Sequence, residues 1–290
     1  MLPNFIIVGA PKCGTTSIWR YCSEHPDISM SKTKEPNYFS TNPGKLDLNQ
    51  YKALFENSNN ETMIGEASTS YLRGQEAAKR INKFIPNCKI IIMLRDPLDR
   101  LYSAYLYWKR LGLYSFPVEK LIQKYIDQQS IAKIPKEFNI ISNGLYFEHV
   151  QRYFNLFGEE NVFVGLFEDM RSEPTSFFHS LFSFLGVSTT IYTPDFSKKH
   201  NVGYDPVFPF YYRLIRIVVD FFRKILIKVV AYDRLIEIRN KVFQLNKKGS
   251  RPTDNKLSPK ERTLAHDIFR EDVIKLQSLI GRDLSEWIDI

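Results

Sequence analysis

Phe5–Thr16 reads FIIVGAPKCGTT, and the rest of the chain is best read outward from it. The run from Phe5 to Gly9 is apolar and bounded by Pro and Gly, the pattern of a parallel strand buried on both faces. Thr16–Glu24 is the predicted helix that follows, and Ala10–Gly14 is a tight loop between them. The first N–H groups of a helix lack partners within it, and its aligned peptide dipoles add positive potential there. Gly14 lets the backbone come close to a phosphate, and Lys12 brings a full charge into the loop. Strand, loop and helix together predict an anion cradle over Lys12, Cys13, Gly14, Thr15, Thr16 and Ser17.

The cradle is near, but not equal to, a nucleotide-triphosphate loop. That motif is Gly-x-x-x-x-Gly-Lys-Ser/Thr. Gly9 and Gly14 keep its spacing, but Thr15 stands where the Lys belongs and the Lys sits at position 12. PKCGTT in this setting resembles the 5′-phosphosulfate loop of sulfotransferases that use 3′-phosphoadenosine 5′-phosphosulfate (PAPS). A P-loop nucleotide kinase or NTPase is the alternative, since it shares the fold and the glycine spacing.

At 290 residues with 43% hydrophobic and 14% aromatic content, the chain has material for a sizeable core. Three cysteines, Cys13, Cys22 and Cys88, are too few and too irregular for a disulfide framework or a metal site. The first predicted strand starts at Phe5, which leaves no room for a signal peptide, and no run of apolar residues is long enough to span a membrane. A cytoplasmic location is the expectation. The net charge of +8 is concentrated: residues 201–260 hold 13 Lys/Arg against 5 Asp/Glu. One local basic surface fits this better than a nucleic-acid coat.

Further predicted strands are Met63–Ala67, Lys89–Leu94 and Val162–Phe167. Predicted helices cover Gly74–Phe84, Pro97 to about Arg110, Asn143–Phe157 and Pro174–Leu185, the last stopped by Gly186. The Lys-rich stretch between about Tyr114 and Ile141 is also read as helical. Strands alternating with helices argue for an α/β fold, a P-loop-like three-layer arrangement with a central parallel sheet flanked by helices. Ligands bind such sheets at the carboxyl ends of the strands. The 9–14 loop, Glu66 and Arg95 all fall there. No repeat or linker splits the chain, so a single domain over 1–290 is expected, with 188–246 as its variable segment.

Arg95 ends a strand and Ser103 follows eight residues later on the next helix. An Arg gives forked recognition of phosphate, and a Ser hydroxyl adds a hydrogen bond. A structural Arg paired with Asp96 or Asp99 is the competing reading. RDPLDRLYSAY, Arg95–Tyr105, resembles the 3′-phosphate motif of PAPS sulfotransferases, which favours the functional one. Lys248, Gly249, Ser250 and Arg251 form a flexible cationic loop that resembles the late nucleotide-binding loop of the family. The resemblance extends to Ser142–Tyr146, Leu166–Met170, Phe184–Val187, Leu257–Pro259 and Gly281–Trp287.

Glu35 lies in KEPNYF, which resembles the Lys-Glu-x-x-x-Phe segment of heparan-type glycan sulfotransferases, where the Glu takes the acceptor proton. Because Pro36 follows, Glu35 must occupy extended or turn backbone. Relatives of the phenol and steroid type use a His base, and this chain has no His between His25 and His149. Glu66 lies in GEASTSYL, which resembles the family's Glu-Lys-Ser/Thr-x-x-Tyr segment with Ala67 in place of the Lys. It is expected to orient the acceptor, or to pair with Lys12 or Lys34.

The resemblance implies in-line sulfuryl transfer from PAPS, leaving 3′-phosphoadenosine 5′-phosphate (PAP). Glu35 would be the base and Lys12 the cation on the leaving oxygen. The acceptor would be a hydroxyl or amine of a glycan, glycolipid or small molecule, and no metal is called for. Phe208–Leu245 carries Arg213, Arg216, Asp220, Arg223, Lys224 and Lys228 on one helical face. It reads either as a core helix with a solvated basic side or as a lid or peripheral membrane contact.

Overall fold

The computed structural model describes residues 1–40, 46–56, 58, 61–110, 114, 116–127, 140–196 and 256–289. Contacts group the chain into two compact units, where the sequence predicts one domain. The first holds Met1–Arg100, Ile141–Asn201 and Ala265–Ile290, and the second Leu101–Ile140 and Val202–Leu264.

The first unit is built on a five-stranded parallel sheet: β1 (Phe5–Gly9), β2 (Ile28–Met30), β3 (Met63–Ala67), β4 (Lys89–Leu94) and β5 (Val162–Leu166). The strand order is β2-β3-β1-β4-β5. All residues of β1 and β3 are buried, and so is β4 from Ile90 onward, as an unbroken apolar run requires in a sheet covered on both faces. The edge strands β2 and β5 are half-exposed. β2 is absent from the sequence reading: ISM is three residues long, pairs only with β3, and shows no period to detect.

Nine α-helices are found among the described residues: α1 (Thr15–Glu24), α2 (Leu48–Ala53), α3 (Gln75–Phe84), α4 (Pro97–Arg110), α5 (Val118–Ile126), α6 (Phe147–Phe157), α7 (Phe167–Ser172), α8 (Pro174–Leu185) and α9 (Pro259–Ile280). The fold is the expected α/β three-layer type. Several boundaries move, α1 and α3 by one residue at their starts. The apolar period of 143–157 starts with a 3-10 turn, Ser142–Gly144, before α6, and Phe167 opens α7 instead of ending β5.

β1 is central and its neighbours are reached in opposite directions, β2 and β3 on one side and β4 and β5 on the other. The carboxyl end of β1 is thus the reversal point at which such sheets bind ligands. There the β1–β4 register slips between Ile7 and Gly9. A slip of this kind bends the strand and re-aims the chain that leaves it. α1 is fixed from its far end: Tyr21 meets Phe178 of α8 edge-on at 5.0 Å.

In the second unit, α5 and the start of α9 are tied by Lys260–Glu119 at 2.9 Å, and Tyr105 of α4 stacks on Tyr114. None of the helices described is long and apolar enough to cross a membrane.

Candidate functional site

The loop after β1 is pinned at both ends. The Ala10 N–H donates to the Met93 carbonyl of β4 at 2.7 Å, and the Cys13 N–H closes back onto the Ala10 carbonyl at 3.3 Å. Lys12 has φ 74, a left-handed conformation that costs a non-glycine residue roughly 1–3 kcal/mol. Gly14 has φ 83 and precedes α1, whose N-terminus no side chain caps. A Cβ at Gly14 would lie 2.7 Å from Met170 Cε and 2.9 Å from Phe167 Cδ2. Glycine is needed there for backbone angle and for space. The Cys13 side chain turns inward, fully buried, with Sγ 3.8 Å from Tyr146 Oη. Burial pushes its thiol up to about 11, so it is packing and not a nucleophile. Thr15 is buried, while Lys12, Gly14, Thr16 and Ser17 reach the surface in part.

Arg95 follows β4. Its guanidinium lies over the Phe167 ring at 4.7 Å and makes one long contact, 3.3 Å, to Asp99. Its buried Nε has no hydrogen-bond partner among the described residues. Asp96 Oδ1 accepts from the N–H of Leu98 at 2.7 Å and so caps α4. Tyr146 connects this corner to the loop, because its hydroxyl donates to the Arg95 carbonyl at 2.9 Å as well as touching Cys13. Asp272 of α9 in turn accepts from the N–H groups of Tyr146 and Phe147 at the start of α6. Burial raises the Asp272 carboxyl to about 6.

Glu35 sits beyond β3. Its N–H donates to the Ala67 carbonyl at 2.8 Å, so the chain leaves the sheet edge at this point. It has φ 62 and Asn37 has φ 55, left-handed turn backbone on either side of Pro36, and not the helix interior that the proline excludes. The Glu35 carboxylate is held on three sides. Oε2 accepts from the Thr69 N–H at 3.0 Å, and Oε1 accepts from the Thr69 hydroxyl at 3.1 Å and from Lys34 Nζ at 2.7 Å. Thr69 also lies against the end of β1: its carbonyl oxygen is 3.3 Å from where a Cβ on Gly9 would stand.

Glu66 is placed otherwise than expected. It is 0% exposed, so it does not present a carboxylate to an acceptor. Its oxygens accept from three hydroxyls, Tyr51 and Tyr71 at 3.0 Å on Oε1 and Ser68 at 2.7 Å on Oε2. Burial raises its carboxyl to about 7, against the pull of these three bonds. Burial and then the Glu66 charge push the Tyr51 and Tyr71 phenols up, so both stay donors.

The structure therefore gathers the 10–17 loop, Glu35 and Arg95 at the carboxyl ends of β1, β3 and β4, with Glu66 beneath. Ser103 lies half-buried on α4 in the second unit. Lys248, Gly249, Ser250 and Arg251, and the 208–245 segment, lie outside the described residues. Sequence reasoning missed Thr69, Tyr146 and Phe167. Each sits inside a segment that the family resemblance covers, GEASTSYL, SNGLY and the start of α7, but their contacts are long-range. Among the described residues no three or more His, Cys, Asp or Glu converge as metal ligands do.

A family model described as the sulfotransferase domain matches residues 2–201. The bifunctional heparan sulfate N-deacetylase/N-sulfotransferase 4 of Mus musculus is 26% identical over 226 residues, 74% of this chain and 25% of that protein. Human carbohydrate sulfotransferase 15 is 25% identical over 248 residues, 64% of this chain and 44% of the relative. The chain thus spans less than half the length of these two curated relatives. A solved structure, a sulfotransferase from Alicyclobacillus acidocaldarius, superimposes with a TM-score of 0.73 at 29% identity, covering 100% of both chains. The match covers more than half of the chain, and the chain belongs to the sulfotransferase family.

Proposed function

We propose that this sulfotransferase takes its sulfuryl group from PAPS and passes it to a hydroxyl or amine of a saccharide, with Glu35 as the base. The observation that carries the reading is the Thr69 bridge. One residue holds the Glu35 carboxylate by two hydrogen bonds and packs against the strand end from which the Lys12 loop departs. A base and a cationic anion cradle at one strand edge are what sulfuryl transfer needs.

The residues present fit a phosphosulfate donor. Gly14 keeps the mouth of α1 clear of a Cβ, and the N-terminus of α1 has no side-chain cap to compete with an anion. Arg95 Nε is a buried donor without a partner among the described residues, and is our candidate for the 3′-phosphate. PAPS, when bound, supplies an activated sulfuryl group on a good leaving phosphate. Lys12 meets the charge that develops on the 5′-phosphate oxygen. Glu35 accepts the acceptor's proton as its oxygen or nitrogen bonds to sulfur. Oε2 is the atom suited to this, since among the described residues it accepts one hydrogen bond where Oε1 accepts two.

The acceptor class rests on the relatives, one named for heparan N-sulfation and one as a carbohydrate sulfotransferase. The test is transfer of radiolabel from PAPS to N-desulfated heparan sulfate and to chondroitin. Label on a polysaccharide, lost in Glu35→Gln with PAP binding retained, supports the reading. Label transfer undiminished in Glu35→Gln removes Glu35 as the base.

A further inference from the structure

We propose that Glu66 is a positioning residue: through Ser68, Tyr71 and Tyr51 it fixes the 35–39 loop, and with it the carboxylate of Glu35. The inference rests on the reading of Glu35 as the base.

Each of the three hydroxyl-bearing side chains that donate to Glu66 also grips one of three consecutive loop residues. Ser68 Oγ accepts from the Asn37 N–H at 3.0 Å. Tyr71 Oη accepts from the Phe39 N–H at 3.1 Å. The Tyr51 ring stacks on the ring of Tyr38, between them, at 4.3 Å and 10°. Asn37 passes the restraint on, since its Nδ2 donates to the Glu35 carbonyl at 2.7 Å and its Oδ1 accepts from Ser70 at 2.6 Å. A chain of contacts therefore runs from Glu66 through Ser68 and Asn37 to Glu35.

The carboxylate matters because an ionised carboxylate only accepts. A hydroxyl has one proton. Facing Glu66, Ser68 and Tyr71 must each spend that proton on the carboxylate, which leaves only lone pairs for the loop. The loop offers backbone N–H groups, so the two directions agree. Were either hydroxyl free to turn, a loop N–H would face a hydrogen instead of a lone pair. The loop needs such restraint, since Glu35 and Asn37 both hold left-handed backbone that non-glycine residues seldom adopt. Such conformations persist only where the surroundings over-determine them. Ser68 and Glu66 are both fully buried, so water does not compete for these bonds.

Glu66→Gln keeps shape but places an amide that can donate toward Ser68, and Ser68→Ala removes the relay and leaves Glu66 in place. Two readouts apply, at about pH 8, where Glu66 is past its titration. The first is amide hydrogen exchange, which needs no acceptor. We expect exchange at Asn37 to quicken by about tenfold or more in both variants, and at Phe39 in Glu66→Gln, with the 10–17 loop unchanged. The second is label transfer from PAPS to N-desulfated heparan sulfate, or to water if that glycan is not taken. We expect kcat to fall about 10²-fold with KM for PAPS unchanged. The double variant should lose little more than either single one.

Wild-type exchange at Asn37 and Phe39 in both variants would overturn the inference. So would wild-type kcat in both while Glu35→Gln abolishes transfer, and that outcome would leave the base reading intact. If Glu35→Gln itself transfers at the wild-type rate, the base reading fails, and the exchange data then judge the loop restraint alone.

Discussion

The two loops at the strand ends are held in opposite ways. The 10–14 loop is secured by main chain: Ala10 to Met93, Cys13 to Ala10, and a glycine that leaves no room for a side chain. Its own Cys13 points inward as filler. The 35–39 loop has one main-chain bond to the sheet, Glu35 to Ala67, and is otherwise secured by Thr69 on the Glu35 carboxylate and by three side chains, Ser68, Tyr71 and Tyr51, gathered around the buried Glu66. A main-chain cradle suits a phosphate, which is the same in every donor molecule. A loop hung on separate side chains can be re-aimed by single substitutions without disturbing that cradle. On the proposed reading, the difference teaches where variation in acceptor can be accommodated at small cost to the donor cradle.

Glu35→Gln is the sharpest way to break the contrast. It should lower kcat by about 10²–10⁴-fold, the span of general base catalysis, with PAP affinity and melting temperature near wild type. A parallel loss of PAP affinity would mean that the two loops do not divide the work. Lys12→Ala comes next, with about a 10²–10³-fold loss in kcat and a smaller effect on stability, about 1 kcal/mol or less. Steady-state kinetics beside thermal unfolding separates the two.

Glu66 makes the contrast visible in pH. Burial raises its carboxyl from 4.5 to about 7, so the folded protein binds this proton more tightly than the unfolded chain. Its contribution to stability is therefore full below pH 4.5 and is lost as pH rises to 7 and beyond, about 3 kcal/mol in all. Asp272, raised to about 6, acts in the same sense. His149 acts in the other: burial, with Arg152 and Arg73, lowers it to about 4, so stability is gained as pH rises from 4 to 6.5. Subtracting the curve of Glu66→Gln isolates the Glu66 part. Wild-type stability relative to that variant should fall between pH 4.5 and 7 in urea titrations, and parallel curves would contradict the assignment.

Gly14→Ala should cost about 1–3 kcal/mol, from positive φ and from contact with Phe167, and should weaken PAP binding. The smallest effect expected is none: Cys13, Cys22 and Cys88 are all buried with raised thiols, so iodoacetamide should not label the folded protein near neutral pH.

What could be read in the sequence follows the same division. Four of the five strands and the 10–14 loop are legible, because a short apolar run is a local signal and a glycine closes the first of them. β2 is not, being three residues at an edge. Glu35 could be picked out only through a family resemblance, and its true support is invisible, since Thr69 is 34 positions away. Glu66 was legible as a notable acid, but its role depends on which way it points, and a buried strand residue shows no sign of that in sequence. Arg95 illustrates an ambiguity that remains real in space: it does touch Asp99, as the structural reading holds, and its buried Nε has no partner among the described residues, as the proposed phosphate contact would need.

The most direct measurement is calorimetric titration with PAP, compared with ATP and magnesium, on wild type, Lys12→Ala and Arg95→Ala. The account predicts that PAP binds without metal, that ATP with magnesium does not match it, and that each substitution weakens PAP by about tenfold or more. Preference for ATP with magnesium, or PAP affinity untouched by both substitutions, would contradict the reading of this strand-end cradle as a PAPS site.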